Sequence, residues 1–168
     1  MKINKIKPTL PDKVNGKLVK YKKGDCVSIK CQDGKYLAVL ISEKFNRYYD
    51  FTLLEYYKVE KPTVQDFENG RVFGTRFGSW EELEYGVDKK MIECKYVDQN
   101  EDIELIASLS LIGNISKASY SYIKNIDELE DYYFKEIPIR IEKTINAEKF
   151  PAIAFVGKHL LKTKELIE

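Results

Sequence analysis

The sequence predicts an α+β fold, β-rich, built on a mainly antiparallel twisted sheet or an SH3-like partial barrel with a few short helices. Three observations carry this expectation. Apolar and polar residues alternate with period two through much of the first two thirds of the 168 residues. Turn signals such as Asp33-Gly34 separate the alternating runs. Consecutive runs are not joined by the long helical crossovers that a parallel sheet needs. No Gly/Ser-rich or Pro-rich linker and no fixed-period repeat divides the chain. Residues 1–168 are therefore read as a single domain, with a basic N-terminal arm over 1–20 and a C-terminal helix or tail over 157–168. At 43% hydrophobic residues, a chain of this length has enough apolar surface for one core.

The elements follow in order. Val27, Ile29 and Cys31 share one face of a strand over 23–31, and Asp33-Gly34 turns it into a second strand over 35–42. Both faces of that second strand are apolar, as in a central strand. An aromatic-rich third strand spans 47–57. Thr63, with Asp66 three residues later, opens a short helix that Gly70 is expected to close in a left-handed conformation. Strands are predicted over 71–77, 91–97, 103–112 and 119–123, the third with Ile103, Leu105, Ala107, Leu109 and Leu111 on one buried face. Asn125, with Glu128, caps a helix whose apolar residues Ile126, Leu129, Tyr133, Phe134 and Ile137 fall at helical spacing. Pro138 is expected to end it, leaving Ile137, Ile139 and Ile141 as an exit strand. A last short strand is expected over 151–156.

The 28 Lys+Arg nearly balance the 27 Asp+Glu, but the balance is not local. Residues 1–30 carry a net +7, residues 81–136 a net −8, and the segments between and after them are close to neutral. Such a bipolar chain can steer a charged partner if the segments form distinct faces. No apolar run reaches the roughly 18 residues that span a bilayer, and no hydrophobic stretch follows the Lys-rich start before Pro8 and Pro11. A cytoplasmic protein with no membrane contact is the expectation.

Catalytic chemistry finds few candidates. His159 is the single histidine, so any Ser-His-Asp or Cys-His arrangement depends on it, and it lies in a terminal segment beside Leu160 and Leu161. Gly157-Lys158 lacks the other residues of a phosphate loop. Cys26, Cys31 and Cys94 form no CxxC pair, and Cys26 and Cys31 fall on opposite faces of a strand. They read as small buried hydrophobes. The expectation is no enzyme, no metal and no cofactor.

Aromatic and acidic residues are better candidates for an interface. Tyr48-Tyr49, Tyr56-Tyr57 and Tyr132-Tyr133 are doublets, and neighbours point different ways on either a strand or a helix. An exposed tyrosine beside a carboxylate suits a protein partner, and one beside a lysine suits a nucleic-acid base. The acids cluster at Glu81, Glu82 and Glu84 after Trp80, at Asp98, Glu101, Asp102 and Glu104 around a turn, and at Asp127, Glu128, Glu130 and Asp131 on a helix start. The last group also answers the helix dipole. The expected partner-binding residues are Trp80, Glu81, Glu82, Glu84, Asp98, Glu101, Asp102, Glu104 and Tyr132.

Between residues 20 and 95 the chain resembles the immunity protein 26 family of bacterial polymorphic toxin systems. The resemblance lies in Lys23-Gly24-Asp25-Cys26-Val27-Ser28-Ile29 opening a strand, Asp33-Gly34-Lys35-Tyr36 turning into the next, the segment around Pro62, and Phe73-Gly74 through Phe77-Gly78-Ser79-Trp80. It implies a cytoplasmic, non-enzymatic protein that binds a cognate toxin domain and blocks it by occlusion. A basic nuclease toxin would suit the acidic segment. The alternative from a different class is a small-barrel nucleic-acid-binding module using Lys20, Lys22, Lys23, Lys30 and Tyr36.

Overall fold

The computed structural model describes residues 13–14, 17–79, 82–149 and 158–168, with side chains over 19–75, 86–146 and 159–168. Ten strands, three α-helices and one 3-10 turn occur there, in the order β1 Lys13–Val14, β2 Lys17–Leu18, β3 Asp25–Lys30, β4 Tyr36–Phe45, β5 Tyr48–Lys58, α1 Val64–Glu68, β6 Arg71–Ser79, β7 Glu82–Glu93, α2 Cys94–Asp98, β8 Ile103–Ser108, β9 Ser116–Tyr122, α3 Asp127–Lys149, β10 Lys158–Lys162 and the 3-10 turn Thr163–Leu166. β1 and β2 form a two-residue hairpin within the expected basic arm. The other strands make one eight-stranded, mostly antiparallel open sheet in the order β10-β6-β7-β5-β4-β3-β8. β9 joins it parallel to β7, so the sheet is mixed.

The meander β3-β4-β5 forms where the alternation places it. Gly34, in the turn between β3 and β4, has φ +84°, a conformation that Asp-Gly turns supply at low steric cost. β4 is buried on both faces, and the chain has two cores as a result. One face carries Val27, Ile29, Val39, Ile41, Phe51, Leu53, Phe73 and Ile92 under α3, which contributes Leu129 and Ile137. The other carries Ala38, Leu40, Leu54, Val72 and Leu161, covered by Phe67 of α1, by Leu166, and by Leu111 and Ile115. Cys26 lies in the second core and Cys31 in the first, on opposite faces as their spacing requires.

β5 pairs with β7 as far as Phe51 and then meets β6 through Leu54 and Val72. Three strands diverge at this point, and ordinary ladder pairing is interrupted. Thr52, fully buried, fills part of the gap by donating from its hydroxyl towards Ser42 Oγ at 2.9 Å and the Asp88 carbonyl at 3.3 Å.

Several elements depart from the expectation. α3 runs through Pro138 to Lys149, and no exit strand forms over 137–141. Phe134 and Pro138 are both exposed, so the carbonyl that Pro138 cannot pair faces water, while Tyr132 and Arg140 anchor the helix to Asp88 on either side of the proline. Residues 158–168 are neither a helix nor a tail: β10 pairs with β6, and the 3-10 turn packs Leu166 into the second core. The strand expected over 91–97 belongs to β7 only as far as Glu93, and Cys94 and Val97 are buried from α2 at helical spacing. β8 stops at Ser108 and is an edge strand, which leaves Leu105 49% exposed. Thr63 and Asp66 do form a reciprocal capping box, but Gly70 is not left-handed. A Cβ there would lie 2.4 Å from the Asp66 carbonyl oxygen, so close approach is what calls for glycine. The strand expected over 151–156 lies outside the described residues.

Candidate functional site

Two of the three acidic groups meet at one cleft. Its volume is about 390 Å³, and its walls are Ile29 to Gln32 at the end of β3, Asn100 and Asp102 before β8, and Asn125, Ile126 and Asp127 at the start of α3. Asp102 and Asp127 are 25 positions apart in sequence and line the same space. The geometry of each wall follows from local hydrogen bonds. Asn100 accepts from the Asp102 N–H at 2.9 Å, and the Asp102 carbonyl accepts from the Lys30 N–H at 2.9 Å, which fixes the turn to β3. Asn125 Oδ1 accepts from the Asp127 N–H at 3.0 Å, while Glu128 accepts from the N–H groups of Lys124 and Asn125. This is the reciprocal cap expected from the sequence.

Further acids neighbour the lining residues in sequence or in space. Glu130 is half-buried beside the Cys31 thiol; burial first, then Glu130 and Asp33, pushes that thiol up. Asp33 accepts from the Tyr57 phenol, which holds its carboxyl below the usual range and raises the phenol together with the latter's burial. Glu101 and Asp102 are exposed. Glu104 is exposed and paired with Lys61. Lys30, exposed in the cleft wall, is the one basic residue among its lining.

The remaining expected site residues are placed elsewhere or inward. Trp80 and Glu81 lie outside the described residues. Glu82 and Glu84 open β7 opposite Ser79 and Phe77, with β5, β4 and β3 between β7 and β8. This acidic group is separated from the cleft by the width of the sheet. Asp98 points inward: its carboxylate accepts from Tyr49 Oη at 2.6 Å, and Tyr49 Oη in turn accepts from the Tyr21 N–H at 3.0 Å. Burial, then the bond to Asp98, raises the Tyr49 phenol. The relay clamps the segment before β3 onto the sheet. Tyr132 also faces inward, donating to Asp88 and packing edge-on against Phe73.

The sequence singled out neither Asp88 nor Arg140. The Asp88 side chain is wholly buried under α3, with Arg140 Nη2 at 2.6 Å and its Oδ1 without a hydrogen-bond partner. Lys90 lies 3.9 Å above the Tyr132 ring and donates to Ser121 at 2.8 Å. Burial lowers the Lys90 ammonium. Lys90 and Ser121 are direct cross-strand partners, which accounts for their contact without a chemical role. His159 sits beside Arg140 at 3.4 Å, and burial, then Arg140 and Lys143, lowers its imidazole.

Two lysines of the nucleic-acid alternative stand far apart. Lys23 binds Glu43 and the Gly113 carbonyl at one end of β3, and Lys30 stands at the other, about 23 Å away along an extended strand. Lys61 lies 5.9 Å from the Tyr36 ring while pairing with Glu104. No helix among the described residues is long and apolar enough to cross a membrane. No protein family, curated protein or solved structure matches this chain.

Proposed function

We propose that the protein is an immunity-type inhibitor that acts in the cytoplasm, binding a basic toxin domain through the acidic cleft between β3, the turn before β8 and the start of α3. The observation that carries this reading is the meeting of Asp102 and Asp127 at one cleft, with Glu130 and Asp33 both acting on Cys31 in its wall. Of the residues that resemble the immunity family, Asp25 to Ile29 lie in β3, Tyr36 opens β4 and Phe73 to Ser79 lie in β6, and the meander β3-β4-β5 is the portion we read as SH3-like. Inhibition in this reading is occlusion: the rim covers cationic side chains that the toxin needs for its own anionic substrate. Exposed rim charges act mainly on encounter, because solvent screens them once the complex has formed.

The test is binding to the toxin domain encoded beside this gene. Asp102→Lys combined with Asp127→Lys should slow association about tenfold or more at low ionic strength and change dissociation far less. A neighbouring gene that encodes no toxin, the absence of a complex, or an unchanged association rate in the double variant would overturn the reading.

A further inference from the structure

On the sheet face opposite α3, the exposed Tyr120 and Tyr122 and the half-buried Tyr48 form a continuous cluster. Ser121 of β9 points to the α3 side, where it meets Lys90, so Tyr120 and Tyr122 point the other way. Tyr122 packs edge-to-face on Tyr120 at 5.3 Å and on Tyr48 of β5 at 5.6 Å. A hydrogen bond of 2.7 Å joins the Tyr120 and Tyr122 hydroxyls. The rings are thus held by one another, yet Tyr122 is 59% and Tyr120 42% exposed. A cation stands at each end: Lys117 Nζ lies 4.4 Å from the Tyr120 centroid and the Arg47 guanidinium 5.6 Å from that of Tyr48. Among the described residues, three carboxylates of this region each have a lysine of their own, Glu43 with Lys23, Asp50 with Lys89 and Glu93 with Lys95. The surface that remains is aromatic and cationic.

We propose that this face binds single-stranded nucleic acid, bases stacking on Tyr122 and Tyr120 while Arg47 and Lys117 meet phosphates. Flat rings suit bases of any sequence, and two flanking cations suit an anionic backbone. The mutual packing fixes the rings before binding, so little side-chain freedom is lost when a strand arrives. An apolar protein segment would gain nothing from the cations, and a duplex would hide its bases from the rings. The site lies on the opposite face from the acidic cleft and stands independently of the inhibitor reading.

The test is fluorescence anisotropy of a labelled oligothymidylate of about ten nucleotides with the full chain. Saturable binding is expected, with a slope of log affinity against log salt near −1.4, as two phosphate contacts to a single strand give. Tyr122→Ala should weaken binding about five- to a hundredfold, while Tyr122→Phe retains it. Lys117→Ala should flatten the salt slope, and Asp102→Asn at the cleft should leave binding unchanged. No binding at low salt, equal affinity for a duplex of the same length, or indifference to Tyr122→Ala would overturn the proposal. A toxin complex that survives Tyr122→Ala keeps the two readings apart.

Discussion

Arg140 donates from α3 at 2.6 Å to the wholly buried carboxylate of Asp88, and Tyr132, two turns earlier on the same helix, donates to the same oxygen. One strand residue therefore holds the helix on both sides of Pro138. Removing the guanidinium would leave a buried charge with only a phenol hydrogen-bonded to it. Arg140→Ala is expected to cost about 3–5 kcal/mol in urea unfolding. Replacing both members by apolar residues, as in Asp88→Leu with Arg140→Met, should recover much of that loss.

Two glycines with positive φ should answer the same substitution differently. Gly24 has φ +92°, and a Cβ there would come within 2.0 Å of the carbonyl oxygen of Leu109, whose N–H donates to the Gly24 carbonyl at 2.8 Å while the Gly24 N–H donates to Ile41. Gly34 has φ +84° and open space around it. Gly34→Ala should cost about 1–2 kcal/mol, the backbone penalty alone. Gly24→Ala adds a backbone clash and should cost more than about 3 kcal/mol or prevent folding. Thermal melts of the two variants side by side check the difference.

All three cysteines are buried and free. Burial pushes the Cys26 thiol up to about 12 and that of Cys94 to about 11, and raises Cys31 as well. Thiolate is the reactive form, so none should be alkylated at neutral pH in the folded protein. Iodoacetamide labelling followed by mass spectrometry should show modification only after denaturant is added, and rapid native labelling of any of the three would contradict the packing.

His159 gives stability a pH dependence with a definite sign. Its imidazole is lowered in the fold by burial and by Arg140 and Lys143, so the unfolded chain binds the proton more readily. Its contribution is present above the unfolded value near 6.5 and is lost as pH falls through and below it. The urea midpoint should drop between pH 7.5 and 5.5 by more in the parent than in His159→Gln. Asp50, raised by burial, works in the opposite sense at lower pH, and the difference between parent and variant removes its contribution.

Local chemistry was legible in the sequence because it is settled within a few residues. The Thr63/Asp66 and Asn125/Glu128 caps and the Asp33-Gly34 turn each depend on neighbours three positions apart or fewer. Pro138 misled because the anchors that carry α3 past it come from β7, some fifty positions away. The alternation from Ile103 onward promised one buried face, but the β3–β8 register shifts between Cys26 and Val27, so Ile103 joins the first core, Ala107, Leu109 and Leu111 join the second, and Leu105 on this edge strand stays half exposed. At the cleft, the acids were visible as groups, but the fold decided that Asp98 turns inward and that Glu82 and Glu84 open a distant strand. The tyrosine doublets drew attention that the Ser119-Tyr120-Ser121-Tyr122 alternation better repays, since residues two apart on a strand share a face.

Asp88 and Lys89 are consecutive on β7, and each is neutralised on its own side of the sheet, by Arg140 above and by Asp50 below. Sliding β7 by a single position would exchange their faces. The aspartate would then confront Asp50 while the lysine confronted Arg140, and two repulsions would replace two attractions in one step. The dipeptide acts as a parity check on strand assembly, rejecting an error that the apolar pattern alone would punish on one face at a time.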